Sequence, residues 1–341
     1  MMRILFVFVF LLGLVSCGEE KSSSSSSSDR SISADSFKQP NCDDVKAEFY
    51  SNSGLDHNQN YSGLYKICKN GKIQCLYEVK NGKRNGFRRV WFMDTGKLKI
   101  DQNFKNGLKD GIQREWSHDA ILIKEENYIN DELISRKEWS ENSKNNHLIE
   151  EKTDKHYRRW DDNGQLVQET TDKHHRIWHY NGQLASESTD TKIKTWNQNG
   201  RLTSEKNYKK TGDFKNKKYY ELQGLSTSWH DDGQLAYKGY YKEDKKVGQH
   251  KRWYNNGQLE REENFNNQGE LNGLLSSWSE NGQINFERYY KNGEREGVWK
   301  EWYENGQLKS ETVYKDGYRV SIKEWYEDGE PMGGGIHAIP M

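Results

Sequence analysis

The sequence has little proline, little cysteine and few aliphatic side chains. It contains three Pro and four Cys in 341 residues, only 32% of the residues are hydrophobic, and the mean hydropathy is −1.17. The length would allow two conventional domains, but their cores need more Leu, Ile and Val than this chain offers. The 12 Trp, 20 Tyr and 11 Phe must therefore supply most of the buried surface, and we expect them in thin layers.

The chain also lacks an excess of either charge, with 52 basic and 52 acidic residues. Proteins that bind nucleic acid or an anionic membrane surface usually carry a basic patch, because phosphate contacts dominate that affinity. We therefore expect no nucleic-acid partner.

The longest apolar run is short and lies at the N-terminus. Ile4–Leu12 has nine residues, whereas a membrane span needs about 20, so with Arg3 it predicts a signal peptide over 1–16. The run ends in Leu14-Val15-Ser16-Cys17, which resembles the bacterial lipobox. The resemblance implies cleavage before Cys17 and a lipid on Cys17, with an ordinary secreted protein as the alternative. Because Gly18 follows rather than Asp, the resemblance also implies an outer-membrane lipoprotein, facing the periplasm or the cell surface.

Composition divides the remaining chain. Ser22–Ser28 is a serine run within a polar stretch that cannot bury enough surface to fold. We therefore predict a signal peptide (1–16), the lipidated cysteine with a disordered tether (17–40), divergent N-terminal hairpins (41–85), tandem repeats (86–330) and a C-terminal tail (331–341).

The remaining cysteines, Cys42, Cys68 and Cys75, precede the clear repeats. An oxidising compartment permits one disulfide among them. An Asn70-Gly71 turn would place Cys68 opposite Ile73 and Cys75 opposite Lys66. That makes the two cysteines diagonal neighbours, which are farther apart than a relaxed disulfide prefers. A bridge from Cys42 to either one is the alternative, and the absence of a CxxC pair argues against zinc.

One five-residue word dominates the rest: Trp, two variable residues, Asp or Asn, and a small residue that is usually Gly. Full copies recur every 23 to 25 residues, the middle ones every 18, and Phe92 looks like a divergent extra copy. The predicted structural tryptophans are Trp116, Trp139, Trp160, Trp178, Trp196, Trp229, Trp253, Trp278, Trp302 and Trp325.

Each copy predicts two short strands and two tight turns. Asn305-Gly306 and Asn292-Gly293 both favour two-residue type I′ turns. We therefore predict an all-β fold, an elongated single-layer antiparallel meander of tandem β-hairpins. The two-residue turn at Asn305-Gly306 would place Trp302 opposite Lys309, Lys300 opposite Glu311 and Gly297 opposite Tyr314.

The same offsets recur along the chain, which supports one register. The predicted basic-to-acidic pairs are Arg114–Glu125, Arg158–Glu169, Arg176–Glu187, Lys194–Glu205, Lys251–Glu262 and Lys300–Glu311. The predicted glycine–aromatic pairs are Gly111–Tyr128, Gly224–Tyr241, Gly248–Phe265, Gly273–Tyr290 and Gly297–Tyr314.

Repeat spacing also predicts which faces the side chains occupy. Trp278 and Trp302 are 24 residues apart, which places them on one sheet face, whereas odd spacings require a bulge. We expect a continuous tryptophan row, with bulges where the spacing is odd. Leu308 and Tyr314 should line the opposite face, with their counterparts Leu259 and Phe265.

The word Trp-Tyr-Glu-Asn-Gly-Gln-Leu, with a downstream Tyr-Lys-Asn/Asp-Gly-x-x-x-Gly, resembles MORN-variant repeats of the YwqK type over residues 80 to 330. That family is often labelled as antitoxins. The resemblance implies a stacked β-hairpin fold, and it implies a toxin-neutralising protein as one possible function.

The search for chemistry yields one weak site. His147, His156, His174, His175 and His179 cluster in the short middle copies. His156 and His174 are equivalent positions and the only metal-ligand candidates, with a row of exposed polar side chains as the alternative. The sequence has no HExxH, GxSxG, P-loop or dinucleotide motif, so we expect no catalytic residues, no cofactor and no enzyme.

A one-dimensional array of repeats presents an extended surface that suits protein recognition. We therefore expect an envelope-anchored, non-enzymatic scaffold or protein-binding protein, whose partners are the membrane, through Cys17, and an unknown protein. The alternative is an immunity or antitoxin-like protein that neutralises a toxin at the envelope.

Overall fold

A computed structural model describes residues 34, 37–46, 49–50, 62–141, 146–214 and 217–333. The predicted signal peptide, Cys17 and most of the predicted tether lie outside these residues, as does the tail from residue 334. Among the described residues, no helix is both long and apolar enough to cross a membrane.

The described chain is all β, as predicted, and forms one sheet of 26 strands. The first thirteen strands are β1 Phe49–Tyr50, β2 Gly63–Lys69, β3 Lys72–Lys80, β4 Lys83–Trp91, β5 Leu98–Lys105, β6 Leu108–Lys109, β7 Gly111–Trp116, β8 Leu122–Ile129, β9 Glu132–Trp139, β10 Leu148–Thr153, β11 His156–Trp160, β12 Leu166–Thr171 and β13 His175–Trp178. The remaining strands are β14 Leu184–Ser188, β15 Lys192–Trp196, β16 Leu202–Phe214, β17 Lys217–Trp229, β18 Leu235–Lys242, β19 Lys245–Trp253, β20 Leu259–Phe265, β21 Gly273–Trp278, β22 Ile284–Lys291, β23 Glu294–Arg295, β24 Gly297–Trp302, β25 Leu308–Lys315 and β26 Tyr318–Glu324.

The sheet is an open antiparallel meander, because strands pair with their neighbours in sequence. All of these pairings are antiparallel except that of β1 with β2, which is parallel. Strands β6 and β7 both pair with β5, and β23 and β24 both pair with β22, so each couple is one interrupted strand. At about 4.8 Å per strand, the sheet extends for roughly 110 Å across its strands.

Two kinds of turn alternate along the meander. At Asn292-Gly293 both residues have positive φ, 47° and 83°, which confirms the predicted type I′ turn. The prediction was wrong at Asn305-Gly306, where only Gly306 has positive φ, 88°. There the Gly306 amide donates to the carbonyl of Tyr303, and the Tyr303 amide donates to that of Gln307, each at 2.9 Å. This is a three-residue loop with a glycine bulge.

The longer loop shifts the register by one residue, and this shift is confined to the pair that contains the tryptophan. Trp302 lies opposite Leu308, not Lys309, and a bulge restores the pairing of Lys300 with Glu311 and of Gly297 with Tyr314. All six predicted charge pairs and all five glycine–aromatic pairs are therefore confirmed. The same shift accompanies Trp116, Trp253 and Trp278, so bulges occur at even spacings as well as at the odd spacings where they were predicted. The glycine loop itself creates the bulge.

The alternation of side chains defines two faces. We call the face that carries the repeat tryptophans and the charge pairs the tryptophan face, and the face that carries the glycine–aromatic pairs the aromatic face. Leu308 lies directly opposite Trp302 and Leu259 opposite Trp253. These leucines therefore belong to the tryptophan face, contrary to the prediction. Tyr314 and Phe265 lie on the other face, as predicted.

The copy at Phe92 is also corrected. Trp91, not Phe92, lies opposite Leu98 and takes the tryptophan position. The Phe92 amide donates to the carbonyl of Lys97 at 2.9 Å, so this loop is one residue longer than in later copies. The additional residue hid the match in the sequence.

Residues 34 and 37–46 pack on the tryptophan face, and we call them the cap. Ala34 is 1% exposed and joins a buried cluster with Ile73, Leu76, Trp91, Leu98 and Trp116, against which Phe37 and Val45 pack. Cys42 and Cys68 form a disulfide with a Cα–Cα distance of 6.0 Å, whereas Cys75 is free and buried. Cys75 lies opposite Ile67 rather than Lys66. The predicted tether was too long at its C-terminal end, because the aromatic and apolar residues of 37–45 find partners on the sheet.

Candidate binding surface

A row of charged side chains crosses the tryptophan face. In sequence, its members stand two residues before a tryptophan or three residues after the leucine that pairs with that tryptophan. Its members are cross-strand neighbours both within and between copies. The signs alternate without a break over Arg89, Asp101, Arg114, Glu125, Lys137, Glu151, Arg158, Glu169, Arg176, Glu187, Lys194 and Glu205. We call this line the charge row.

Three carboxylates of this part of the charge row, Glu151, Glu169 and Glu205, each contact two Lys or Arg side chains. Glu169 lies 2.9 Å from Arg158 Nε and 3.5 Å from Arg176 Nη1. Burial raises the pKa of Glu169, but hydrogen bonds from His174 and Arg158 outweigh it, so the pKa lies below its usual value. Such pairs are half exposed and are worth about 0.2–1 kcal/mol each. The charge row therefore fixes register more than it adds stability.

Beyond residue 205 the charge row is interrupted. The buried neutral residues Thr227 and Ser276 occupy two of its positions, and Lys238 lies opposite Lys251. The row resumes at Glu287, Lys300 and Glu311. The last four long copies thus carry a less regular charge pattern than the short ones.

His156 and His174 lie in a third row of the tryptophan face, four residues before the tryptophans. His174 Nε2 is 3.1 Å from Glu169 and its Nδ1 is 3.3 Å from Thr171 Oγ1. His156 repeats this with Glu151 at 3.2 Å and Thr153 at 3.1 Å. Each ring is thus engaged by side chains of the preceding copy. In the described ranges no three His, Cys, Asp or Glu side chains group as metal ligands.

In the long copies the third row becomes apolar. We call this line the apolar stripe. Tyr240, Leu274, Tyr289 and Val298 are 50%, 42%, 45% and 44% exposed. Its register pairs are Leu225–Tyr240, Tyr240–Val247, Leu274–Tyr289 and Val298–Val313. The polar pair Gln249–Asn264 interrupts the stripe, which spans about 34 Å across eight strand positions.

The aromatic face of the same copies is more closed. His250 is 1% exposed, and its ring lies 5.1 Å from Phe265 and 5.3 Å from Tyr241 in edge-on geometry. Its Nδ1 lies 2.6 Å from the Tyr237 hydroxyl and its Nε2 2.8 Å from the Tyr240 carbonyl oxygen. Burial lowers the pKa of His250. Every polar atom of this ring is engaged, which makes the cluster a structural element.

The predicted structural tryptophans differ in burial. Trp116 is 1% exposed beneath the cap. The other nine are half-buried: Trp139, Trp160, Trp178, Trp196, Trp229, Trp253, Trp278, Trp302 and Trp325. The tryptophan face is therefore covered by the cap at Trp116, whereas it is partly accessible to solvent from Trp139 onward.

Sequence reasoning did not find the apolar stripe or the cap. The stripe does leave a signal, since its members other than Val247 stand four residues before a tryptophan or five after the leucine or isoleucine paired with it. Once the glycine bulge is known, these positions fall on one face. The cap leaves no periodic signal, because it lies outside the repeats.

Four of the long copies are similar to a known family of repeats. The MORN repeat variant matches residues 222–243, 246–267, 271–292 and 295–316. No curated protein matches the chain. Two solved structures, "Crystal Structure of TcdB2-TccC3" and the same protein without its hypervariable C-terminal region, align with 84% of this chain at 11% identity and a TM-score of 0.17. This chain covers 17% and 16% of theirs, and so low a TM-score does not indicate a shared overall fold.

Proposed function

We propose that this protein is a non-enzymatic binding or scaffold protein of the bacterial envelope, and that it binds a protein partner along the apolar stripe. MORN repeats generally serve as modules that bind proteins or membranes.

The observation that carries the proposal is the exposure of the stripe. Leu274 and Tyr289 are directly paired, and both are more than two-fifths exposed. Val298 continues the line at 44% exposure. Contiguous exposed apolar patches rimmed by polar residues are typical of interaction sites in soluble proteins.

The neighbouring charges favour a protein over a nucleic acid. The stripe runs beside Glu262, Glu287 and Lys300, so both signs lie along its border. A polyanion would meet repulsion at the glutamates, whereas a protein segment can present complementary charges.

A photoreactive residue placed at Tyr289 would test the binding surface in cells. We expect one dominant protein adduct, lost when Leu274 or Val298 is changed to Lys. The matched control is the same photoreactive residue at Tyr180, which is 75% exposed but lies in a turn. Equal adducts at both positions, or none at Tyr289, would contradict the proposal. If the adduct proves to be a toxin encoded by a neighbouring gene, the function is the immunity alternative.

The anchor is a separate part of the proposal. We propose that Cys17 carries the lipid and holds the array at the outer membrane. Labelled palmitate should enter the wild-type protein and not the Cys17→Ala variant. Absence of label in the wild type would contradict anchoring while leaving the stripe proposal intact.

A further inference from the structure

The cap shows how the tryptophan face receives a segment of chain, in which residues 38–41 lead into an antiparallel bridge between Asn41 and Lys72 and residues 42–44 form a turn. Residues 37–46 lie over the first copies, held by the disulfide of Cys42 with Cys68. The Cys42 amide donates to the carbonyl of Gly71 at 2.8 Å, and the Lys66 amine donates to the carbonyl of Val45 at 2.7 Å. The sheet thus binds the backbone of this segment as well as its side chains.

One aromatic side chain of the cap makes the central contact. The Arg89 guanidinium lies between two rings, 4.4 Å from the centroid of Phe37 and 4.6 Å from that of Phe87. The Trp91 indole Nε1 donates to the Phe37 carbonyl oxygen at 3.1 Å. Trp91 itself is 4% exposed. A tryptophan, a cation two residues earlier and an apolar residue four residues earlier therefore form one receptor for an aromatic residue.

The same three positions recur in the last copies without such cover. Trp302, Lys300 and Val298 correspond to Trp91, Arg89 and Phe87. Val298 is 44% exposed, and Trp302 is half-buried. Tyr289, at 45% exposure, lies on the neighbouring strand of the same stripe.

We infer that the apolar stripe binds an extended segment of its partner protein, and that this segment inserts an aromatic side chain as Phe37 does. This inference rests on the proposed function and names the chemistry of the partner. The aromatic ring lies on the Lys300 amine beside Val298, and the backbone carbonyl of the same residue accepts from the Trp302 indole. A cation over an aromatic ring is a favourable contact at exposed sites, and the apolar contacts with the stripe add to it.

The chain supplies its own probe. A labelled peptide with the sequence of residues 34–41 contains Phe37 but not Cys42, so it cannot exchange with the disulfide. The tethered cap already covers the first copies at high effective concentration, and the added peptide therefore reports on the open copies. The intact mature protein is titrated with this peptide and with its Phe37→Ala counterpart, and a photoreactive analogue at Phe37 maps the contact.

We expect adducts within residues 274–302 and at least a tenfold weaker binding of the Phe37→Ala peptide. Trp302→Phe keeps a ring and removes the indole N–H, so it should weaken binding several-fold. Tyr314→Phe on the aromatic face is the matched control and should leave binding unchanged. Thermal unfolding of both variants checks that the sheet is intact.

Equal binding of the two peptides, or adducts on the aromatic face, would overturn the inference. A third outcome would also overturn it: the protein binds vesicles of phosphatidylcholine with phosphatidylglycerol, Leu274→Lys abolishes that binding, and the peptide does not bind. The stripe would then be a membrane-binding surface. If photo-crosslinking at Tyr289 captures a partner but the peptide does not bind, the proposed function stands and this inference fails. If the peptide binds and no partner is captured, the aromatic receptor exists on the stripe, but the proposed function fails and the inference that a partner protein fills this receptor fails with it.

Discussion

The Tyr303 hydroxyl donates a 2.9 Å hydrogen bond to the carbonyl oxygen of Trp325, the tryptophan of the next copy. Tyr254 repeats this contact with Trp278 at 3.0 Å. Asn305 belongs to the same turn, and its amide donates to the carbonyl of Glu327 at 2.7 Å. In these copies, the residues that follow the tryptophan in the word therefore hydrogen-bond one copy to the next, in addition to shaping the turn.

The first prediction tests this hydrogen bonding between copies. Tyr303→Phe removes one inter-copy hydrogen bond and should cost about 0.5–1.5 kcal/mol. The loss should appear as faster amide exchange over Tyr318–Glu324, measured by mass spectrometry. Tyr318→Phe is the control, because this side chain is 80% exposed, and it should change nothing. Equal effects of the two substitutions would show that the hydrogen bond is unimportant.

The second prediction concerns Gly239. A Cβ atom at this position would lie 2.6 Å from both the Tyr237 hydroxyl and His250 Cε1, and the ring of His250 has no free space to move into. Gly239→Ala should therefore cost about 1–3 kcal/mol as an overpacked core does, measured by urea unfolding. Gly333→Ala, which meets nothing within 4 Å, is the control. An unchanged urea midpoint for Gly239→Ala would show that the His250 cluster is loosely packed.

The third prediction is a pH dependence. Burial lowers the pKa of His250 below its ordinary value of about 6.5, although its hydrogen bond to the Tyr240 carbonyl opposes the shift. Between these two pKa values the unfolded chain binds a proton that the folded chain does not. The contribution of neutral His250 is thus complete above pH 6.5 and is lost as the pH falls through the lowered folded pKa.

His250→Phe removes this proton uptake. We expect its free energy of unfolding to fall less steeply than that of the wild type as the pH drops below 6.5. Urea unfolding at several pH values measures the difference. Parallel curves for the two proteins would contradict the lowered pKa.

The fourth prediction concerns the cap. Cys42 and Cys68 close a loop with a sequence separation of 26, for which the chain-entropy model gives about 3–4 kcal/mol. The double variant Cys42→Ser with Cys68→Ser should expose Trp91 and Trp116, seen as a red shift of tryptophan fluorescence. Cys75→Ser removes the free thiol only and serves as the comparison. A spectrum like that of the wild type would show that packing alone holds the cap.

The sequence was sufficient for the fold class and for the long-range register. Only one register places basic residues opposite acidic ones, as in Lys300–Glu311, and glycines opposite aromatic rings, as in Gly297–Tyr314. Many pairs therefore agree on that register. It failed within the turn, because Asn-Gly is compatible with a two-residue type I′ loop and with a three-residue loop that ends in a glycine bulge. In the three-residue loop, Lys309 has no register partner on β24, and Leu308 therefore lies opposite Trp302. The sequence pattern does not distinguish this arrangement from the two-residue loop.

The binding surface was harder to predict. Tyr289 and Val298 look like ordinary strand residues until the bulge places them on the tryptophan face. The contact of Phe37 with Arg89 joins residues 52 positions apart and has no counterpart in the repeats. The equivalence of His156 and His174 was visible, but the neighbouring Glu151 and Glu169 that engage them become visible only in the folded sheet.

Amide hydrogen exchange of the Trp302→Ala variant tests most directly whether the chain is an open array in which each copy depends on its neighbours. Trp302 is half-buried, so the cost should be below the ~3–5 kcal/mol of a fully buried tryptophan. We predict faster exchange in β21 to β26, residues 273–324, and unchanged protection in β2 to β9, residues 63–139. Uniform loss of protection over both regions would contradict this account, because it would show a single cooperative core.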